Sequence, residues 1–192
     1  MNATTDSIRR TATAQYTMAT PLGQLLLVRT ARGLAGAWFE AQKHHVGELQ
    51  APHRPDDDVL STAVRQLNEY FDGQRDVFDL PLDLHGTPFQ QRVWQRLLAI
   101  PSHGTCTYGD IAKALATPSA VRAVGGAVGR NPVSVIVPCH RVVGTDGSMT
   151  GYAGGVHRKV ALLKLERLAR TDEPIVAEQR DAEQLDLLTT IA

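Results

Sequence analysis

The four residues Thr87-Pro88-Phe89-Gln90 constrain this chain more than any other stretch. A hydroxyl stands where a helix cap is needed, proline follows at the first helical position, and glutamine lies three residues after the cap. A helix must begin there, so whatever precedes it belongs to a different unit. Behind that start, Phe89, Val93, Trp94, Leu97 and Leu98 form an apolar stripe that runs out near Ile100-Pro101. A second start, Thr107-Tyr108-Gly109-Asp110, precedes Ile111, Ala112, Ala114 and Leu115. A third, Thr117-Pro118, opens a helix expected to reach about residue 128. Two short helices this close together have the form of a helix-turn-helix. Residues 134–137 read as a short apolar strand closed by Pro138. A loop over 144–155 with five glycines leads to a last helix near 156–168, with Val160, Leu163 and Leu165 available for burial.

The part before the start reads differently. Residues 14–19 and 23–30 flank Thr20-Pro21-Leu22-Gly23, a turn that makes them a hairpin, and residues 33–40 supply a third strand. Residues 41–56 read as loop or weak helix, 57–73 as a helix ending at Gly73, and 77–84 as a possible further strand. The expected fold is α+β, with a small three-stranded antiparallel sheet and one helix followed by a mostly helical unit. The division is residues 1–84, residues 85–168, and a tail over 169–192 that reads as disordered or weakly helical.

Composition narrows the class. The hydrophobic fraction of 43% and charged fraction of 21% exclude disordered, collagen-like and coiled-coil chains. No apolar run is long enough for a membrane span, and residues 1–15 carry no readable secretory signal. Two cysteines, Cys106 and Cys139, make no disulfide scaffold, so a cytoplasmic setting is expected. The net charge of zero conceals an uneven distribution: −3 over residues 1–86, +8 over 87–170 and −5 over 171–192. The basic block fits a polyanion such as nucleic acid, or a solvated basic face.

The densest chemistry is Pro138-Cys139-His140-Arg141-Val142. Cysteine is a good nucleophile near neutral pH when its thiolate is stabilised. Neighbours on an extended strand point to opposite sides, so His140 could serve Cys139 only through a turn after Pro138 or a bridging water. Taken alone, the pair reads rather as a small buried cysteine beside a surface histidine than as a nucleophile with its base. The wider pattern is more specific. Phe89-Gln90-Gln91-Arg92-Val93-Trp94, Tyr108-Gly109-Asp110-Ile111-Ala112, residues 120–127, Asn131-Pro132 and Gly151-Tyr152-Ala153-Gly154-Gly155 accompany it in order and spacing. Together they resemble the methylated-DNA–protein-cysteine methyltransferases (O6-alkylguanine-DNA alkyltransferases), closely over 87–167 and loosely over 14–86.

The resemblance implies a ribonuclease H-like front part, a winged-helix-like second part, and direct reversal of DNA alkylation. Cys139 would take the alkyl group from O6 of guanine and keep it as a thioether, giving one turnover per molecule. His140 would accept the thiol proton through a water, and Glu166 would orient His140. Tyr108 would protonate N3 of the departing guanine. Asn131 and Arg141 would be structural, with a phosphate contact left open for Arg141. The helix carrying Ala120, Arg122, Ala123 and Gly125 would lie in the minor groove, with Arg122 filling the space of the flipped guanine. Main chain at Val142 and Ala153, with the ring of Tyr152, would hold the base, and Ser134, Thr150 and Tyr152 would set the pocket's size.

Departures from the family pattern also carry expectations. Many relatives have serine at Ala153, so that side-chain bond is absent. Without a cysteine in residues 1–86, His44, His45, His53 and His85 make no convincing metal set, and no metal or cofactor is expected. Cys106 reads as structural. The implied partner is double-stranded DNA containing O6-alkylguanine, met by a monomer; O4-alkylthymine remains open as a second substrate. Alkylation of Cys139 should destabilise a packed site. A Cys-His hydrolase would want a distant histidine and an oxyanion hole, neither of which is visible. A lesion binder without the nucleophile is disfavoured by Cys139, and a helix-turn-helix regulator leaves Cys139, His140, Glu166 and Tyr108 without roles.

Overall fold

The computed structural model describes residues 3–149 and 151–168. Helix α1 (Ala3–Thr11) leads into a meander of β1 (Ala12–Thr20), β2 (Gly23–Thr30) and β3 (Gly33–Phe39), antiparallel in that order. Then come α2 (Asp58–Phe71), α3 (Pro88–Leu98), β4 (Cys106–Thr107), α4 (Tyr108–Ala114), α5 (Val121–Gly129), β5 (Val142–Val143) and α6 (Val156–Leu168). The α+β architecture expected from the sequence is present. No helix among the described residues is long and apolar enough to cross a membrane.

The first two helix starts of the second part are built as their residues dictate. Thr87 Oγ1 accepts from Gln90 N while Gln90 Oε1 accepts from Thr87 N, a reciprocal cap. Thr107 and Asp110 repeat the arrangement at α4. Asp57 caps α2 through Val59 N and Leu60 N.

The sheet has two covered faces. Leu25, Leu27, Leu34, Ala37 and Phe39 join α2 through Leu60, Leu67 and Tyr70, and the same cluster continues through Val93, Trp94, Leu97, Val124, Val133 and Leu162. The two parts of the chain therefore share one core. On the opposite face Ile8 of α1 packs with Val28, Ala35, Trp38 and Val46. All seven residues of β3 are buried. Gly36 is required because the Trp38 ring lies where a Cβ would stand, 1.8 Å from it.

The outer edge of β3 is closed by two short segments rather than by a strand. Leu34 N donates to Pro81 O and Leu34 O accepts from Asp83 N. Further along, Ala37 N donates to Pro132 O and Ala37 O accepts from Ser134 N. The second segment leads directly to Cys139, so the sheet edge anchors the approach to the site.

Four expectations change. Residues 77–84 form no strand: their contact with β3 is a single bridge, Leu34 to Leu82, and Gln66 clamps Asp79 main chain at 2.6 and 2.8 Å from its side-chain nitrogen and oxygen. Residues 134–137 are a tight turn, with Val135 at φ +71° and Ile136 N bonded to Ser134 O. The apolar run was burial without extension. The third helix begins as a 3-10 turn, Pro118–Ala120, before α5. Helix α1 was not foreseen, because its one large apolar residue, Ile8, gives no periodicity to read. The expectation for the tail over 169–192 lies outside the described residues.

Helix α5 is held to α3 by one buried polar bond, Trp94 Nε1 to Ala127 O at 2.9 Å. Trp94→Phe keeps most of the ring volume and removes this bond, while Ala127 O retains the one from Arg130 N at 3.1 Å; the loss costs about 0.5–1.5 kcal/mol. Thermal unfolding should fall by about 2–4 °C for each kcal/mol in a chain of this size. An unchanged midpoint would mean that the bond adds nothing.

Candidate active site

Cys139, His140 and Arg141 form a single 3-10 turn immediately after Pro138. Of the two alternatives the sequence left for His140 to serve its neighbour, a turn after Pro138 or a bridging water, the turn is present. It is buried throughout, with Cys139 at 5% and His140 at 0% exposure. Asn131 organises it from below: its Nδ2 donates to Val137 O at 2.8 Å, to Val133 O at 3.3 Å and to Cys139 Sγ at 3.0 Å, while its Oδ1 accepts from Val133 N. This one side chain ties the end of α5 to the cysteine turn.

His140 Nε2 lies 2.8 Å from Glu166 Oε1. A carboxylate only accepts, so Nε2 carries the hydrogen and Nδ1 keeps the lone pair. Nδ1 is buried and has no protein partner. Arg141 grips the same carboxylate from Nε and Nη2, the latter at 2.7 Å, and also donates from Nη1 to Ile100 O at 2.6 Å. Tyr70 Oη of α2 donates to Glu166 Oε1 at 2.9 Å. Arg141 is buried, and its Nε, Nη1 and Nη2 are all engaged within the protein.

Burial shapes the proton affinities. It pushes the Cys139 thiol up to about 11, with the Asn131 bond and the Lys159 charge acting in the opposite direction. His140 is held below its ordinary value chiefly by burial, although Glu166 pulls it upward. For Glu166, burial alone would raise the carboxyl; the bond and charge of His140, then those of Arg141, more than reverse this and hold it well below the usual range. At rest the site thus contains a neutral thiol, a neutral imidazole and an ionised glutamate.

The other expected site residues divide into groups. Tyr108, at the start of α4, packs its ring alongside Gly125 of α5 and shares with it a groove of about 650 Å³. Tyr152 and Ala153 line the same groove, and the Tyr152 hydroxyl is buried close to Ser134 and Cys139. Arg122 and Ala123 are exposed on α5, and Ala120 is half-buried in the 3-10 turn before it. Val142 O is occupied by Lys159 Nζ at 2.7 Å, and Ala153 O accepts from Lys43 N at 2.9 Å. Of the pocket-size residues, Thr150 lies outside the described residues. Cys106 is half-buried beside Asp110; burial first, then that charge, pushes its thiol up to about 11, which makes it a poor second nucleophile. Among the described residues no three His, Cys, Asp or Glu side chains come together to hold a metal ion.

Sequence reading missed three contributors. Tyr70 was read only as an apolar ring of α2, and its hydroxyl gave no signal. Gln42 accepts from Ser134 Oγ at 3.0 Å and from Phe39 N at 3.1 Å, a link made by tertiary contact alone. Lys159 was legible in principle: 159, 162, 163 and 166 share one face of a helix, and these four are the buried residues of α6. Val160 and Leu165 lie beside that stripe and are only half-buried.

A buried cysteine thus stands beside a histidine–glutamate pair, with α4 and α5 forming a helix-turn-helix pair next to it, an arrangement that fits a DNA-directed alkyltransferase. Residues 88–168 match the family described as 6-O-methylguanine DNA methyltransferase, DNA binding domain, and residues 15–84 its ribonuclease-like domain. The chain is 45% identical over 153 residues to the methylated-DNA–protein-cysteine methyltransferase of Mycobacterium leprae, covering 78% of this chain and 90% of that one. It is 42% identical over 161 residues to the constitutive enzyme of that name from Bacillus subtilis, covering 80% and 96%. The Mycobacterium tuberculosis OGT, solved in complex with DNA, superposes with a TM-score of 0.74 at 45% identity, covering 81% of this chain and 94% of that one. The chain belongs to the methylated-DNA–protein-cysteine methyltransferase family, enzymes of DNA alkyl repair.

Glu166→Gln removes the charge that Arg141 and His140 share inside the core. Stranding a buried ion in this way costs about 3–5 kcal/mol, measurable as a lower urea midpoint at neutral pH. Because the folded carboxyl titrates below its ordinary 4.5, its contribution is complete above that value and drains away as the pH falls through and below it. The gap between wild type and variant should therefore narrow in acid. A gap that stays constant would show that the charge is not what Glu166 contributes.

Proposed function

We propose that this chain repairs O6-alkylguanine in double-stranded DNA by moving the alkyl group to Cys139, once per molecule. The observation that carries the reading is the Cys139 thiol, held at 3.0 Å by Asn131 beside a buried His140–Glu166 pair. The thiol proton passes through a water to Nδ1 of His140, the nitrogen whose lone pair is unclaimed. The sulfur then attacks the alkyl carbon as the C–O6 bond breaks. The electron pair leaves on the guanine, which Tyr108 neutralises by giving a proton toward N3. The resulting thioether has no leaving route, so the molecule is consumed.

Access requires the base to leave the helix, because O6 cannot reach a protein sulfur inside the duplex. We assign α5 to the minor groove. Its Ala123 and Gly125 let the backbone approach closely, and exposed Arg122 enters the stack in place of the flipped nucleotide. Main chain at Val142 and Ala153 and the ring of Tyr152 line the path of the base. The protein acts as a monomer, with residues 1–84 as scaffold and 85–168 as the DNA-directed part.

Incubation with an oligonucleotide carrying one O6-methylguanine, followed by intact mass and peptide mapping, should give one methyl group on Cys139 and none in Cys139→Ser. No adduct despite lesion binding would overturn the transfer. The methylated protein should unfold at a lower temperature than the free one. The new methyl group crowds the atom that Asn131 contacts at 3.0 Å, a strain of about 1–3 kcal/mol; an equal or higher midpoint would contradict it.

The pH profile tests the base. With the imidazole held below 6.5, transfer should persist below that pH and fall only as His140 becomes protonated. In His140→Gln the rate at neutral pH should drop by about 10²-fold or more. It should then climb about tenfold per pH unit toward the thiol value of about 11. A variant with a flat profile would remove His140 from the proton path.

A further inference from the structure

We propose that the loop after β3 is a phosphate-binding lip: Lys43 and His44, with Arg130 at the end of α5, grip the backbone of the damaged strand beside the flipped nucleotide. The inference rests on the reading that this groove receives DNA, and it adds a contact from the front part of the chain, outside the helix-turn-helix.

Placement comes first. Lys43 and His44 line the same groove as Tyr108, Gly125, Gly129 and Tyr152, so the two basic side chains stand at its rim. Lys43, His44 and Arg130 are all exposed. The three sense one another: His44 is held below its ordinary value by partial burial and then by the positive charges of Arg130 and Lys43. Arg130 follows Gly129 of the groove wall and gives one donor, Nη1, to Gly126 O at 2.9 Å, whereas the other arginine at the groove is held more fully. Arg158 donates to Leu22 O and Gly154 O and covers the Phe39 ring.

Charge comes second. Four of the seven arginines in residues 1–86 are matched with acids: Arg29 with Asp57, Arg32 with Asp83, and both Arg65 and Arg75 with Glu69. Among the described residues, Lys43, His44 and Arg130 have no carboxylate partner. Three clustered basic groups without a counter-charge raise the potential at a groove mouth and are suited to a phosphate.

Backbone is the third observation. Ala41 and His44 stand at φ +59° and +62°, a region costly for residues with a Cβ. The strain persists because the loop is fixed on every side. Gln42 N donates to Phe39 O and His45 N to Gln42 O, while Lys43 N reaches across to Ala153 O at 2.9 Å. The Gln42 side chain adds its bonds to Phe39 N and Ser134 Oγ. A loop wanted only to leave the sheet needs none of this. Here it presents the Lys43 ammonium and the His44 imidazole at a set position and at the same time braces the Tyr152-Ala153 segment.

The test is binding of undamaged duplex DNA, followed by fluorescence anisotropy over a range of salt concentrations. It compares wild type with the double variant Lys43→Gln/His44→Asn, since asparagine tolerates the left-handed backbone at position 44. One lost phosphate contact should reduce the slope of log K against log salt by about one, and weaken binding several-fold at low salt. Reaction with free O6-methylguanine base, which has no phosphate, should be unchanged. An unaltered salt slope would overturn the lip. If the double variant unfolds at lower temperature than wild type, Lys43→Gln alone, at an exposed side chain, decides by the same slope. Failure of the wild type to accept a methyl group would instead sink the transferase reading, and the slope would still judge the lip.

Discussion

Everything at this site hangs on one buried carboxylate. Glu166 is 3% exposed and holds His140, Arg141 and Tyr70 at once. A lone carboxylate in that position would protonate or unfold the region. Arg141 compensates its charge bidentately, which frees Glu166 to stay ionised beside a histidine without driving that histidine to the cationic form. Remove the arginine, and Glu166 and His140 would compete for one proton; with it present, the imidazole remains a base. The same grip fixes α6 to the cysteine turn and, through Tyr70, to α2.

That arrangement explains why the two parts of the chain have a common core. In the proposed reaction the acting residues fall within 108–166, yet their support comes from elsewhere: Tyr70 from α2, Gln42 behind Ser134, and the edge of β3 under Pro132 and Ser134. The sheet edge matters because residues 131–138 have no regular structure of their own. An irregular buried segment must have its backbone groups satisfied by something. Asn131 does this from one side and Ala37 from the other.

The sequence was most informative where local chemistry decides the structure. Both capping boxes, the Asp57 cap and the hairpin at Pro21-Leu22 depend on residues within a few positions of each other, and all were readable. The cysteine turn was also legible, because two adjacent functional residues on a strand would diverge. What could not be read was set by distance in the chain. The apolar run over 134–137 looked like a strand since apolar burial in an irregular turn leaves the same composition. Glu166, on its local surroundings alone, reads as a surface carboxylate and was singled out only through the family resemblance, because its partners Arg141 and His140 lie about 25 residues away in the chain. Helix α1 needed the far side of the sheet to exist before Ile8 had anything to pack on.

The resting site contains a paradox that its geometry resolves. A nucleophile with a pKa near 11 is inert at neutral pH, and burial of that kind is expected to protect a cysteine rather than activate it. Under the single-turnover reaction proposed above, such protection is useful, since a permanent thiolate would be consumed by oxidants and adventitious electrophiles. The cost of charging the sulfur is then met only when needed, by three groups already within reach: the Asn131 amide at 3.0 Å, the nearby Lys159 ammonium, and the free lone pair of His140. None of them has to move far, because each is pinned from behind by the carbonyls of Val137 and Val142 and by Glu166. The same burial that keeps the thiol neutral also keeps the imidazole neutral, so one physical cause sets both partners in the states that proton transfer requires.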